Sequence, residues 1–328
     1  MEDNSKKNNM DNKMTDIVIM GESLVEIMRD KVDISLGEIG NFKGPFPSGA
    51  PAICASAAAK TGSKVALISG VGKDAFGDFI VNRLDTIGVD TSHVIKDPNG
   101  STGCAFVTYF KDGSRNFIFH MRNTPAVKAK APLKGDFTGV KFMHIMGCSL
   151  MADKKFAQEI LKTMALFSNE GARISFDPNI RKELFIDDSV YQVVNEVLKN
   201  TSIFLPGTNE ILSITKSQTI EEAVEKCFNY PKMQIVLLKN GTHGNQLFVK
   251  NEKCRKFDIY PIIQIDATGA GDSFDGAFLS ALSRGTSIDR AVKEAAAAGA
   301  LDAAAFGPME GDISLKSIDK MIRESEIR

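Results

Sequence analysis

The chain has 328 residues, of which 43% are hydrophobic and 25% are charged, and its formal net charge is −1. This composition is typical of a globular protein that is long enough for one large core and a smaller appendage. The near-neutral charge, without long basic runs, argues against a nucleic-acid or membrane-surface partner.

Residues 1–14 are polar and predict a disordered tail ahead of a folded domain over 15–328. No apolar segment follows the basic residues of the tail, so we expect no signal peptide. The longest apolar stretches are too short for a membrane-spanning helix. Five scattered cysteines indicate neither a disulfide framework nor a zinc site, and they favour reduced thiols in a cytoplasmic protein.

Short apolar runs alternate with helical patterns from residue 16 onward. Strands are predicted at 16–20, 64–69, 141–146, 173–176, 203–205 and 235–238. Helices are predicted at 51–61, 76–86, 154–168 and 189–199. Strands that alternate with helices in this way predict an α/β fold with a parallel sheet covered on both faces.

Two regions, at about 30–48 and 100–124, interrupt this alternation. Residues 102–120 predict a hairpin around the turn at 111–113. Small antiparallel strands between strand–helix units indicate a flap beside the main sheet. An ordinary edge hairpin with no role at a site has the same pattern, and the sequence leaves both interpretations open.

Residues 266–278 read DATGAGDSFDGAF and are the most informative stretch of the chain. Gly269, Ala270 and Gly271 permit a sharp turn between a strand predicted at 262–265 and a helix predicted at 273–282. Uncovered N–H groups at a helix N-terminus bind anions, above all phosphate. Asp272 suits a base that takes a proton from a hydroxyl attacking that phosphate. The alternative role for Asp272 is an N-terminal cap of the helix.

Two other nucleotide motifs are absent. A phosphate-binding P-loop needs Gly-Lys followed by Ser or Thr, but Lys73 is followed by Asp74. A dinucleotide fingerprint needs a third glycine where this chain has Phe274. A hydride-transfer enzyme is therefore not expected.

The DATGAGD motif resembles the second signature of the ribokinase-like (PfkB) carbohydrate kinases, and the resemblance extends from Gly21 to about Pro308. Further family motifs follow in order: Gly21-Glu22, SGAPA at 48–52, GVGKDAFG at 70–77, DPN at 177–179 with Arg181, and KNGTHG at 239–244. The resemblance implies a Rossmann-like, three-layer α/β/α domain with a small β-sheet lid. It also implies transfer of the γ-phosphoryl group of ATP to a sugar hydroxyl.

The resemblance also assigns roles within the site. Asp272 would be the base, the N–H groups of residues 269–271 would form an anion hole, and Arg181 would reach the transferred phosphate. The residues implied on the ATP side are Lys239, Gly241, Thr242, Gly244, Glu210 and Asn179. Mg²⁺ is expected with ATP, with Glu210 acting on it indirectly.

Asp266 and Thr268 match residues that hold a monovalent cation, K⁺, in many relatives. Carbonyl groups from about 302–307 would complete that site. In the alternative interpretation, Asp266 only caps the turn before the helix.

The sugar-binding residues are where this chain departs from its relatives. Ser48 and Ile53 replace a glycine and an asparagine, Gly207 replaces the asparagine of an Asn-x-x-Glu motif, and Met121 occupies the arginine position of 2-keto-3-deoxygluconate kinases. The candidate substrate residues are Glu26, Ser48, Gly49, Tyr109, His120 and Arg122. A solvated, packing or hairpin role is the alternative for Glu26, Tyr109 and His120.

The sequence thus favours a kinase of a fructose- or tagatose-like ketohexose. The alternatives are a 2-keto-3-deoxygluconate kinase, a nucleoside kinase of the same fold, or a non-catalytic nucleotide- or sugar-binding module. Apolar lid residues at 106, 109, 117 and 119 favour a homodimer through the lid. The same aromatic alternation would also suit a roof over the subunit's own sugar.

Overall fold

The computed structural model describes residues 14–112, 114–181, 184 and 189–326. The predicted tail therefore lies outside the described residues except for Met14. The first part of the fold contains β1 (Ile17–Met20), β2 (Leu24–Arg29), β3 (Phe42–Ser48), β4 (Val65–Gly72), β5 (Val94–Asp97), β6 (Gly103–Tyr109) and β7 (Arg115–His120). The second part contains β8 (Phe142–Met146), β9 (Arg173–Asp177), β10 (Thr201–Phe204), β11 (Ile235–Lys239), β12 (Asn245–Val249) and β13 (Arg255–Phe257).

The described helices fall into two groups. One group comprises α1 (Ala50–Lys60), α2 (Ala75–Ile87), α8 (Ala270–Ser283), α9 (Ile288–Ala303) and α10 (Leu315–Glu326). The other comprises α3 (Gly147–Ala152), α4 (Lys154–Asn169), α5 (Ser189–Asn200), α6 (Thr208–Thr215) and α7 (Ile220–Phe228). In the first group α8 packs against α1 and α9; in the second, α3, α4 and α5 pack together and α6 packs against α7.

A nine-stranded sheet in the described part of the chain runs in the order β13-β12-β11-β10-β9-β8-β1-β4-β5. Only β12 is antiparallel to its neighbours there, and the other pairings are parallel. The strands β1, β4, β8 and β10 are buried along their whole length because helices cover both faces. The α/β prediction is confirmed.

A separate sheet of four described strands, in the order β3-β2-β6-β7, forms the lid. The predicted hairpin is confirmed: β6 pairs antiparallel with β7 from Cys104↔His120 to Tyr109↔Arg115. The lid also contains β2, which lies before the region at 30–48 that we assigned to it. Only residues 21–23 (Gly-Glu-Ser) separate β2 from β1, and such a short break gives no sign that the chain changes sheet.

Local signals explain where α2 begins and ends. Asp74 caps its first turn, because its Oδ1 accepts a hydrogen bond of 2.9 Å from the backbone N–H of Gly77. Gly88 closes the helix in the left-handed conformation, with φ of 96°. The predicted boundaries at 76–86 are therefore correct to one residue.

The prediction of a strand at 262–265 is wrong. The segment is irregular, and Ile263 is 88% exposed. The N–H groups of Ile265 and Asp266 both donate to the carbonyl of Ala303, at the end of α9, instead of to a strand. None of the described helices is long and apolar enough to cross a membrane.

Candidate active site

A cavity of about 200 Å³ lies between the lid and the carboxyl edge of the main sheet. Its floor comes from loops that follow β1, β8, β9 and β10, and from the N-termini of α1 and α8. Its roof comes from inward-facing residues of β2, β6 and β7. Ligands of open parallel sheets bind at this edge, where strand ends converge.

The loop of residues 269–271, which we call the anion loop, forms one wall of the cavity. Gly269 is the N-cap of α8 and has φ of 82°. A side chain there would also approach the Pro308 carbonyl to 2.6 Å, so only glycine fits. The helix that follows directs its first N–H groups toward the cavity end, which creates a positive potential for an anion.

Asp272, in the first turn of α8, lines the cavity although it is only 7% exposed. Burial raises its pKa to about 6, against the opposing effect of the Arg181 guanidinium. Its Oδ1 accepts a hydrogen bond of 2.8 Å from Nδ2 of Asn179, which we had assigned to the ATP side. Asn179 has φ of 37°, a left-handed conformation that asparagine tolerates better than most residues. The amide therefore fixes the orientation of the carboxylate.

Lys239, at the end of β11, is held between two buried carboxylates. Its Nζ lies 2.9 Å from Oδ2 of Asp177 and 3.0 Å from both oxygens of Asp275. Burial by itself would lower the pKa of Lys239, but the two carboxylates outweigh it and raise the pKa above its usual value. The group links β9, β11 and α8 directly behind the anion loop.

A second cavity of about 270 Å³ lies on the other side of the anion loop. It shares Lys239, Ala267 and Gly271 with the first cavity. Its other walls are mainly apolar and include Tyr260 and Phe274. Three of the predicted ATP residues line this second cavity: Lys239, Gly241 and Thr242. Gly244 does not line it and instead ends the turn at 241–243, where a side chain would approach the Phe257 carbonyl to 2.4 Å.

Glu210 binds backbone groups at the floor of the first cavity. Its two oxygens accept hydrogen bonds of 2.8 Å each from the N–H groups of Ile180 and Gly207. Burial and the nearby Asp177 carboxylate raise its pKa. Because Gly207 has no side chain, Glu210 caps α6 and also ties it to the loop after β9.

Glu26 and Ser48 meet at the lid end of the first cavity, together with Gly49. Oε2 of Glu26 accepts a hydrogen bond of 2.7 Å from Oγ of Ser48, whereas its buried Oε1 has no partner among the described residues. Burial raises the pKa of Glu26 to about 7. An unpaired buried acceptor that lines a cavity suits a hydroxyl donor of a ligand.

His120 and Arg122 do not line this cavity. Along β7, Arg115, Phe117 and Phe119 face the cavity, while Asn116, Ile118 and His120 form the exposed face. Arg122 is exposed after the strand, with Nη2 3.5 Å from the Leu184 carbonyl. Phe117 and Phe119 therefore belong to the roof and not to an outer lid surface.

Tyr109 also lies outside the first cavity, at the predicted cation site. Its hydroxyl donates to Oδ1 of Asp266 over 3.0 Å, and its oxygen is in direct contact with Oγ1 of Thr268. Oδ1 of Asp266 also accepts from Thr268, from N at 2.9 Å and from Oγ1 at 2.7 Å, and Oδ2 accepts from the Gly307 N–H at 3.0 Å.

The predicted cation site contains buried negative charge. Asp266 is 4% exposed and is bonded only by neutral donors among the described residues. Asp302, next to Ala303 in the chain, is buried with Oδ1 unpartnered in the described part of the chain, and burial raises its pKa to about 8. Buried carboxylates beside loop carbonyls suit a cation with oxygen ligands, so the residues present fit a monovalent ion.

Several cavity residues were not predicted as site residues: Glu22, Arg115, Phe117, Phe119, Cys148 and Asp177. Strand alternation contained a signal for Arg115, because it lies two residues before Phe117 in a predicted lid strand. Glu22 and Asp177 stood inside the motifs quoted above, but their spacing gave them no role.

The fold and the site are those of a phosphotransferase, with the N-terminus of α8 lying between two cavities. Residues 14–313 match the family profile described as pfkB family carbohydrate kinase. The chain is 32% identical to the probable fructokinase-5 of Arabidopsis thaliana over 83% of this chain and 84% of that protein. It is 29% identical to fructokinase-1 of Oryza sativa subsp. japonica over 89% of this chain and 92% of that protein.

A solved structure of an E. coli protein provisionally named ribokinase II has a TM-score of 0.89 to this chain. The two are 35% identical, and the match covers 95% of this chain and 100% of that one. The chain therefore belongs to the pfkB family of carbohydrate kinases, with a ribokinase-like fold, and it is a sugar phosphotransferase.

Proposed function

We propose that this kinase transfers the γ-phosphoryl group of ATP to a hydroxyl of a fructose- or tagatose-like ketohexose, with Asp272 as the general base. The observation that carries the proposal is the position of Asp272. Its buried carboxylate lines the first cavity beside the anion loop, and the second cavity lies beyond that loop. Relatives named fructokinase support fructose as the first substrate to test.

In this proposal, Asp272 accepts the proton of the sugar hydroxyl as its oxygen attacks the γ-phosphorus. A pKa of about 6 leaves the carboxylate mostly ionised at pH 7 and makes it a stronger base than a solvated aspartate. The hydrogen bond from Asn179 holds the carboxylate in one orientation. Positioned proton transfer contributes about 10²–10⁴-fold to such rates.

The anion loop and Arg181 would stabilise the charge that grows on the transferred phosphoryl group. Donors that are already oriented before the reaction contribute roughly 3–4 kcal/mol each. Arg181 lines the same cavity, and its planar guanidinium suits bidentate binding of phosphate.

The charge of the first cavity supports a neutral sugar. Its described lining contains five carboxylates, Glu22, Glu26, Asp177, Glu210 and Asp272, and three cationic groups, Arg115, Arg181 and Lys239. This excess of acids disfavours an anionic substrate. The unpaired Oε1 of Glu26, with Ser48 beside it, would accept hydrogen bonds from sugar hydroxyls under the aromatic roof.

A sugar acid such as 2-keto-3-deoxygluconate is the second candidate. The lid brings an inward-facing arginine, Arg115, to the cavity even though Met121 occupies the family's arginine position. A guanidinium there would pair with a substrate carboxylate.

ATP would bind in the second cavity with its phosphates at the anion loop. The E. coli protein provisionally named ribokinase II, 34% identical to this chain, has a structure with ATP and Mg²⁺, which supports both cofactors here. Glu210 would act on Mg²⁺ through water, and Asp266 and Thr268 would take part in a K⁺ site. Bound Mg²⁺ offsets phosphate charge.

A homodimer through the lid is also proposed. Because Phe117 and Phe119 face the first cavity, the dimer contact is now assigned to the opposite face of the lid. The candidate contact is the outer face, where Ile118 is 45% and Phe42 is 40% exposed.

All five cysteines are free, which supports a cytoplasmic location.

A coupled ADP-release assay tests the substrate directly. The panel consists of fructose, tagatose, 2-keto-3-deoxygluconate and adenosine, with a blank that contains ATP alone. We expect the highest kcat/KM with a ketohexose. Faster turnover of the sugar acid would favour the second candidate, and absence of turnover with every compound would overturn the proposal in favour of a binding module.

A further inference from the structure

Tyr109 is the last residue of β6 and joins the lid to the segment that precedes α8. Its hydroxyl donates to Asp266 and its oxygen contacts Oγ1 of Thr268, the residue directly before the anion loop. We infer that Tyr109 is a positioning residue that couples the position of the lid over the sugar to the alignment of the anion loop. This inference rests on the proposed function and concerns a residue that does not line the first cavity.

The partners of the Tyr109 hydroxyl are shielded from water. Asp266 and Thr268 are 4% and 6% exposed. If Tyr109 moved away, the buried carboxylate of Asp266 would lose its only donor from the lid among the described residues. A lost hydrogen bond to a buried charged group is costly because water cannot replace it.

A second contact joins the lid to the segment that follows α9 and borders the anion loop. The ring of Phe46 in β3 packs edge-on against Phe306 at 5.6 Å, and Nζ of Lys43 lies 4.6 Å from the Phe306 ring centre. Oδ2 of Asp266 accepts from Gly307, so both lid contacts converge on one hydrogen-bonded unit. That unit borders Gly269, whose backbone also packs against the Pro308 carbonyl.

The strand β6 runs from the first cavity to the residues that precede the anion loop. Ala105 of β6 lines the first cavity, and Tyr109 lies four residues further along the same strand. A strand transmits a displacement along its length because its backbone is held by neighbours on both sides, here β2 and β7. A sugar that holds the lid over the first cavity would therefore also hold Tyr109 against Asp266 and Thr268 and keep the anion loop aligned.

Tyr109→Phe tests the inference because it removes the hydroxyl and keeps the ring. We expect kcat to fall about tenfold or more with the best sugar of the panel, while KM for ATP stays within about twofold. Tyr230→Phe is the matched control, since it removes a phenol whose hydroxyl binds Asn195 at the surface, away from the site. Unchanged kcat in Tyr109→Phe would overturn the inference.

Amide hydrogen exchange of residues 265–272 gives a readout that needs no turnover. In the ligand-free protein we expect faster exchange in Tyr109→Phe than in wild type or Tyr230→Phe, and unchanged exchange would overturn the inference. Failure of the proposed function would instead appear as absence of turnover in the wild type, with the exchange result still decisive for the link.

A double-mutant cycle separates coupling from general destabilisation. Thr268→Val removes one partner of the Tyr109 hydroxyl and keeps the side-chain shape. If Tyr109 acts through Thr268, the double variant will lose less activity than the product of the two single losses. Multiplicative losses, or a fall in kcat that follows melting temperature alone, would identify Tyr109 as merely structural.

Discussion

Replacement of Asp272 by Asn separates loss of the base from loss of the fold. The amide oxygen of Asn can still accept the 2.8 Å hydrogen bond from Asn179, so the local geometry is retained. The variant cannot accept the hydroxyl proton. We expect kcat to fall about 10²–10⁴-fold while substrate binding remains.

The stability of the same variant should rise. Burial raises the pKa of Asp272 from 3.8 to about 6, so the folded state binds its proton more tightly than the unfolded state does. The associated stabilisation is full below pH 3.8 and is lost as pH rises to about 6. Above that pH, ionisation of the buried group costs about 3 kcal/mol at 1.36 kcal/mol per pKa unit. The neutral Asn avoids this cost, and we expect the melting temperature to rise by a few degrees.

The assays are ADP release and thermal unfolding at pH 7, with Asp289→Asn as the control. Asp289 also lies in the first turn of a helix, α9, but at the surface, where it pairs with Arg255. Wild-type kcat/KM should fall about tenfold per pH unit below pH 6, because protonation removes the base. More than a tenth of wild-type activity in Asp272→Asn, or a lower melting temperature, would refute the reasoning.

Three further predictions concern stability, sugar binding and assembly. Burial raises the pKa of Asp302 to about 8, so Asp302→Asn should stabilise the protein in K⁺-free buffer, by a margin that grows from pH 4 to pH 8 in thermal unfolding; a constant margin would contradict this. Glu26→Gln should raise the sugar KM about tenfold and leave the ATP KM unchanged, and equal changes in both would count against a sugar-binding role. Ile118→Lys should shift a dimer toward monomer in sedimentation at micromolar concentration, and an unchanged dimer would place the interface elsewhere.

Local sequence was sufficient for six strands of the main sheet and for the anion loop. Glycine at 269 is required because the backbone is left-handed there and a carbonyl lies against it. The parallel strands were recognisable because burial on both faces makes them continuous apolar runs. The apolar run at 262–265 had the same appearance but forms no strand, because its N–H groups find the end of α9.

The lid residues were harder to predict. His120 and Arg115 lie on the same strand, but alternation directs them to opposite faces, and only the pairing of β7 with β6 fixes which face meets the cavity. Tyr109 was expected at the sugar and instead reaches Asp266, which is distant in sequence.

The sequence by itself determined the anion loop, the acid at its helix, and the positions of six parallel strands along the chain, because these depend on backbone conformation and local apolar pattern. Only the tertiary structure decided that Asn179 holds Asp272, that Lys239 is paired behind the anion loop, and that the lid is bonded to that loop through Tyr109. The physical reason is that side-chain direction depends on strand register and on contacts between residues far apart in the chain.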